Sequence, residues 1–159
     1  SDPLTMEPVA TFLDTVKVRG ATSVYSQLME GFERRRRTPL GYFLGVEDMK
    51  RLAPLYVADL FRTIPGVHVR PNDYSGYTVS MRSMASVALC SPAVFLDGVQ
   101  QFETEGDLEL LVALHDLRGV EVYPKGASAP PQFRGSETCG SIVLWSAGLK
   151  LRRAPSSKK

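Results

Sequence analysis

From Val46 to Trp145 the chain presents a fixed succession of short signals, and their order restricts its fold more than its composition does. A helical pattern runs from Val46 to Ile64 and Pro65-Gly66-Val67 stops it. Alternating strands follow, then the apolar run Pro92-Ala-Val-Phe-Leu-Asp-Gly-Val99, then Val120-Glu-Val-Tyr123 and Cys139-Gly-Ser-Ile-Val-Leu-Trp145. Proline and glycine at the joints keep every element short. Short strands interleaved with short helices describe an α+β chain.

Before that core, Asp14-Thr-Val-Lys-Val-Arg-Gly20 alternates valine with charge, as a half-exposed strand ended by glycine does. Val24, Leu28, Met29 and Phe32 form one apolar stripe of a short helix over Ser23 to Arg37. Arg34, Arg35, Arg36 and Arg37 fall in its last turn, where cations suit the helix dipole, and four adjacent side chains cannot share one face. Their other reading is an anchor for carboxylates or phosphates, which guanidinium forks hold in pairs.

Gly41-Tyr-Phe-Leu-Gly45 reads as a strand. Pro54 divides the next pattern into helices of about Val46 to Leu52 and Leu55 to Thr63, with Leu52, Leu55, Leu60, Phe61 and Ile64 expected in the core. Val67 to Arg70 and Tyr77 to Arg82 flank the turn residues Pro71-Asn-Asp-Tyr-Ser-Gly76, a hairpin signal. Asp97-Gly98 ends the apolar strand in a tight turn, which makes Asp97 structural rather than catalytic. Leu108 to Leu117 has the spacing of a third helix, Gly119 its stop, and Val120 the start of a strand. Ser141, Val143 and Trp145 alternate with Ile142 and Leu144 in the closing strand, which leaves Trp145 near its end as a candidate anchor for a partner.

In this order the signals resemble the plug domain of TonB-dependent outer-membrane receptors, over roughly residues 40 to 146. The resemblance implies a small mixed β-sheet with short helices packed on it and extended N- and C-terminal arms. Residues 1–39 are then an arm with a short strand and helix, 40–146 the plug-like domain and 147–159 a basic tail. The Asp14 to Gly20 segment is similar to the stretch that pairs with the energising protein, though the brief motif reads first as a plain edge strand. Two departures are local: Arg82 is followed by Ser83 where the family has glycine, and Pro124-Lys125-Gly126 stands where it has arginine and glycine.

Cys90 and Cys139 have no partners at zinc or redox spacing. Each stands at the mouth of a strand in the plug reading, so a single long-range disulfide is their simplest use and points to the oxidising periplasm. The alternative is two buried free thiols.

The net charge of +2 is too small to call for nucleic acid, and the basic residues gather instead at Arg34 to Arg37 and in the tail, at Lys150, Arg152, Arg153, Lys158 and Lys159. His68 and His115 lack a second ligand at metal spacing, and no nucleophile elbow, P-loop or dinucleotide fingerprint occurs. No catalytic residue, metal, cofactor or small-molecule substrate is expected. A barrel needs many strands of about 9–11 residues, and 14 residues follow Trp145. The expectation is therefore a non-enzymatic, membrane-associated periplasmic subunit without a transmembrane segment. It would dock on a membrane protein complex, or on anionic lipid head groups, through its arms, arginine run and Trp145. The periplasmic face of a photosynthetic reaction centre and its light-harvesting complex is one such partner, reached by association and not from any pigment-binding residue. The alternative is the plug portion of a receptor for siderophore or vitamin uptake.

Overall fold

The computed structural model describes residues 26–102, 104, 106–135 and 139–147. Residues 26–36 form helix α1. After it come β1 (Tyr42–Gly45), α2 (Val46–Leu52), β2 (Val67–Pro71), β3 (Tyr77–Arg82), β4 (Leu89–Cys90), β5 (Ala93–Leu96), β6 (Val99–Gln101), β7 (Leu117–Tyr123) and β8 (Ser141–Ser146), with single 3-10 turns between several of them. The strands make two sheets, a five-stranded one in the order β1-β7-β8-β5-β6 and a three-stranded one in the order β2-β3-β4. The larger is mixed, because β5 runs parallel to β8 while its other pairings are antiparallel.

Alternation along β8 shows how this sheet is used. Ile142 and Leu144, with Val120 and Val122 of β7, face one core, which is closed by the small sheet and the 3-10 turn Val57–Phe61. Val143 and Trp145 face a second core, where Phe32 of α1, Phe95, Ala129 and Phe133 meet. A strand covered on both faces is buried throughout, as β8 is from Ser141 to Ser146. Phe32 lies across Gly119, where a Cβ would come within 3.2 Å of its ring. That glycine sits inside β7, beside a shift in its register with β8, rather than ending a helix.

The Asp97-Gly98 turn between β5 and β6 takes positive φ at both residues, 52° and 91°, as a two-residue hairpin of this kind requires. The Asp97 carboxylate accepts from the Ser146 amide and hydroxyl, both at 2.7 Å, so its role is structural.

The third helix does not form. Leu108–Leu110 and Leu114–Asp116 are separate 3-10 turns, because β7 claims Leu117 and Arg118 for strand pairing, and ahead of it Leu108 and Val112 are buried while Leu111 and Leu114 are only partly so. Leu55 to Thr63 likewise shrinks to one 3-10 turn. Leu60, Phe61 and Ile64 are buried as expected, but Leu52 and Leu55 are exposed, since α2 ends at Ala53 in the left-handed region and turns Met49 inward instead. The Asp14 to Gly20 segment lies outside the described residues.

Candidate functional site

The centre of the second core is a charge. Glu121 alternates with Val120 and Val122 in β7, yet it is 0% exposed, because α1 lies over that face of the sheet. Arg35 reaches it from the helix with two prongs, Nε to Oε1 at 2.9 Å and Nη2 to Oε2 at 2.6 Å. The Tyr123 hydroxyl donates to Oε1 at 2.6 Å and the Trp145 indole N–H to Oε2 at 2.7 Å. Four hydrogen bonds from three donors thus satisfy a carboxylate removed from water, the condition under which a buried charge is tolerated. The Arg35 guanidinium also stacks 4.9 Å from the centre of the Phe133 ring. Burial works against the Arg35 charge, but the bonds and charge of Glu121 outweigh it and hold its pKa above the ordinary value. Burial, then the hydrogen bond and charge of Glu121, push the Tyr123 phenol far up.

A second arrangement anchors α1 beside α2. Asp48, in the first turn of α2, accepts the Gly45 amide at 2.8 Å and an Arg36 nitrogen at 2.7 Å, and Arg51 also pairs with it. The Gly45 bond, which outweighs the opposing effect of burial, and after it Arg36 and Arg51 lower the Asp48 pKa.

At the far side of the small sheet an open groove of about 800 Å³ lies between the β2–β3 turn and the 102–110 segment. Asn72 builds one wall: its carbonyl oxygen accepts the amides of Tyr74 and Gly76 at 2.9 and 2.8 Å, and its amide donates to Asp107 at 2.9 Å. Gly106 fixes the other, since its carbonyl accepts the Val79 amide at 2.9 Å and at φ 85° a Cβ would lie 2.6 Å from the Val79 oxygen. Two rings, Tyr74 at 86% and Phe102 at 80% exposed, stand at the rim with Leu110. Arg70, Thr78 and Ser80 supply polar atoms. Exposed rings held on braced loops suit a bulky ligand with an aromatic or apolar face. The sequence reading missed this groove because its residues come from three separated segments, although Pro71 to Gly76 marked one of them.

The expected site residues separate in space. Cys90 and Cys139 are joined, with Cα atoms 6.1 Å apart. Cys90 belongs to the small sheet and Cys139 leads into the large one, so the bond crosses between sheets. Arg35 and Arg36 are engaged internally, while Arg34 and Arg37 are exposed and make no ion pair among the described residues. Trp145, expected to anchor a partner, is 2% exposed and committed to Glu121. Lys150, Arg152, Arg153, Lys158 and Lys159 lie outside the described residues. Among those described, no group of three or more metal-ligating side chains gathers, and no helix is long and apolar enough to cross a membrane.

The family model of the TonB-dependent receptor plug domain matches residues 42–138. The chain belongs to that family. The plug match begins at β1 and ends just before Cys139, so it takes in both walls of the groove and β7. Among solved structures, the siderophore receptor PirA from Acinetobacter baumannii superposes with a TM-score of 0.52 at 18% identity, over 72% of this chain and 18% of that one. A mutant of the ferric enterobactin receptor PfeA from Pseudomonas aeruginosa gives 0.51 at 17% identity, over 72% and 18%. At such identities the likeness is one of fold, and this plug spans 18% of the length of either receptor. No curated protein sequence matches the chain.

Proposed function

We propose that this plug serves a TonB-dependent outer-membrane uptake system, with the Tyr74 and Phe102 groove turned toward an incoming siderophore or vitamin. The observation that carries the reading is the family match over residues 42–138. The groove supports it, because rings on loops braced by Asn72 and Gly106 offer stacking area with little ordering cost. Siderophores come first because PirA and PfeA are receptors for them. No chemical step is assigned: the plug would bind, and its displacement would admit the ligand. Its place would be the cell envelope, reached from the periplasmic side.

The test is uptake in the source organism under iron limitation, with its own secreted siderophores carrying radioactive iron and with labelled cyanocobalamin in parallel. Tyr74→Ser with Phe102→Ser should reduce accumulation of one of these at least several-fold while protein level and melting temperature stay unchanged. Uptake of all of them at normal rates after deletion of residues 42–138 would end the reading.

A periplasmic interaction subunit remains a second reading, favoured by one observation: the plug is braced internally by the inter-sheet disulfide and by the Arg35–Glu121 pair. Arg34, Arg37 and the basic tail would then meet a membrane-associated partner. Neutralising Arg34 and Arg37 and removing Lys150 to Lys159 should release such a partner, and the release should be mimicked by raised salt. Retention at native levels rules the arms out. Nothing in the fold or in the similar proteins supports a photosynthetic partner.

A further inference from the structure

A second groove, of about 610 Å³, opens where the link from α1 to β1 meets the Pro65-Gly66 turn and the end of β3. Its lining is largely apolar, with Pro39, Leu40, Tyr42 and Met84 prominent. Leu40, Tyr42 and Met84 are 55%, 42% and 59% exposed, so the described residues leave these side chains largely uncovered. Two cations, Arg82 and Lys125, line the same groove. Neither has an acidic partner among the described residues: Arg82 makes only a long bond to the Val87 carbonyl.

We propose that this groove is the seat of the chain's own N-terminal arm, residues 1–14. Composition carries the match. The arm has Asp2, Glu7 and Asp14 and no lysine or arginine, together with Leu4, Met6, Val9, Phe12 and Leu13. An apolar surface with two unpaired cations is complementary to an apolar segment with carboxylates. The basic C-terminal tail would instead add like charge. Chain length permits the return. Residues 15–25 extend to about 36 Å, whereas the path back along α1, from residue 26 to residue 36, is about 16 Å, and Pro39 and Leu40 at the groove follow closely after that helix. Proline at positions 3 and 8 narrows the backbone choices of the segment, which lowers the entropy lost when it is laid down. The groove is distinct from the one at Tyr74 and Phe102, so the inference stands whether or not the uptake reading does.

The experiment places the photoreactive residue p-benzoylphenylalanine at position 84 of the full chain and mixes the protein with an isotopically heavy copy before irradiation. The expected product is a light-to-light link from position 84 to a peptide within residues 1–14. Asp2→Lys with Glu7→Lys should reduce its yield at least five-fold. Adding Arg82→Glu and Lys125→Glu to that variant should restore the yield. Absence of a link to residues 1–14, links only between light and heavy copies, or a yield indifferent to these charge changes would each overturn the proposal. Melting temperatures recorded alongside separate loss of docking from loss of fold.

Discussion

Arg35 and Glu121, 86 residues apart in sequence, meet as a two-pronged ion pair that fastens α1 to β7, the strand between β1 and β8 in the large sheet. The arginine keeps part of its surface in water while the carboxylate keeps none. Removing the arginine strands a charge; removing the carboxylate strands a hydroxyl, an indole and a guanidinium.

Arg35→Met should therefore lower stability by about 3–5 kcal/mol, the usual cost of leaving one half of a buried pair. Arg35→Met with Glu121→Gln removes both charges and keeps an amide oxygen for Tyr123 and Trp145. It should be less destabilising than Arg35→Met alone. Urea unfolding of the two variants beside the parent checks the order.

Tyr123 should make the fold sensitive to alkali. Its folded-state pKa lies above the ordinary phenol value of about 10, raised by burial and then by Glu121. The neutral form is thus favoured in the folded state. Its contribution is complete below about pH 10 and diminishes as pH rises further, because the unfolded chain releases the proton first. Unfolding free energies from pH 8 to about 11 should fall less steeply for Tyr123→Phe than for the parent, after a constant loss of about 1.5–3 kcal/mol for a hydrogen bond to a charged acceptor.

Asp48 should act at the other end of the scale. Its pKa is lowered first by the Gly45 amide and then by Arg36 and Arg51, so its contribution is present above about pH 4, the unfolded carboxylate value, and is lost as pH falls through the lower folded value. Asp48→Ala should cost about 1 kcal/mol at neutral pH. Near pH 2 the difference from the parent should shrink toward zero, a convergence that thermal melts in two buffers would reveal.

The Cys90–Cys139 bond spans 49 positions, and on the chain-entropy model a loop of that size adds at most about 4 kcal/mol. Cys90→Ser with Cys139→Ala should lower stability toward that limit, and reducing agent should then leave the variant's melting temperature unchanged while lowering the parent's.

Much of the scaffold was legible in the residues. Tyr77 to Arg82, Ala93 to Leu96 and the Asp97-Gly98 turn declared themselves through alternation and turn chemistry, since local backbone preference and the final pairing agree there. Leu108 to Leu117 misled because leucine spacing records which side chains are apolar, not which strand will compete for their backbone. Glu121 carried no local signal of its role. In Val-Glu-Val an exposed glutamate is the natural reading, and only the placing of α1 over that face, a contact across 86 residues, makes it the most buried charge among those described. Arg35 could be separated from Arg34, Arg36 and Arg37 only once the direction of the helix was known.

Sulfur chemistry gives the inter-sheet bond one further meaning. It turns the chain into a ring with two tails: β5, β6 and β7 lie wholly within the ring, and β8 begins just beyond it. Tension applied between the tails passes through the sulfur atoms and never along the enclosed backbone. About 160 Å of contour is therefore withheld from stretching while the bond is oxidised, and the backbone carrying Glu121 is sheltered from any pull on the ends.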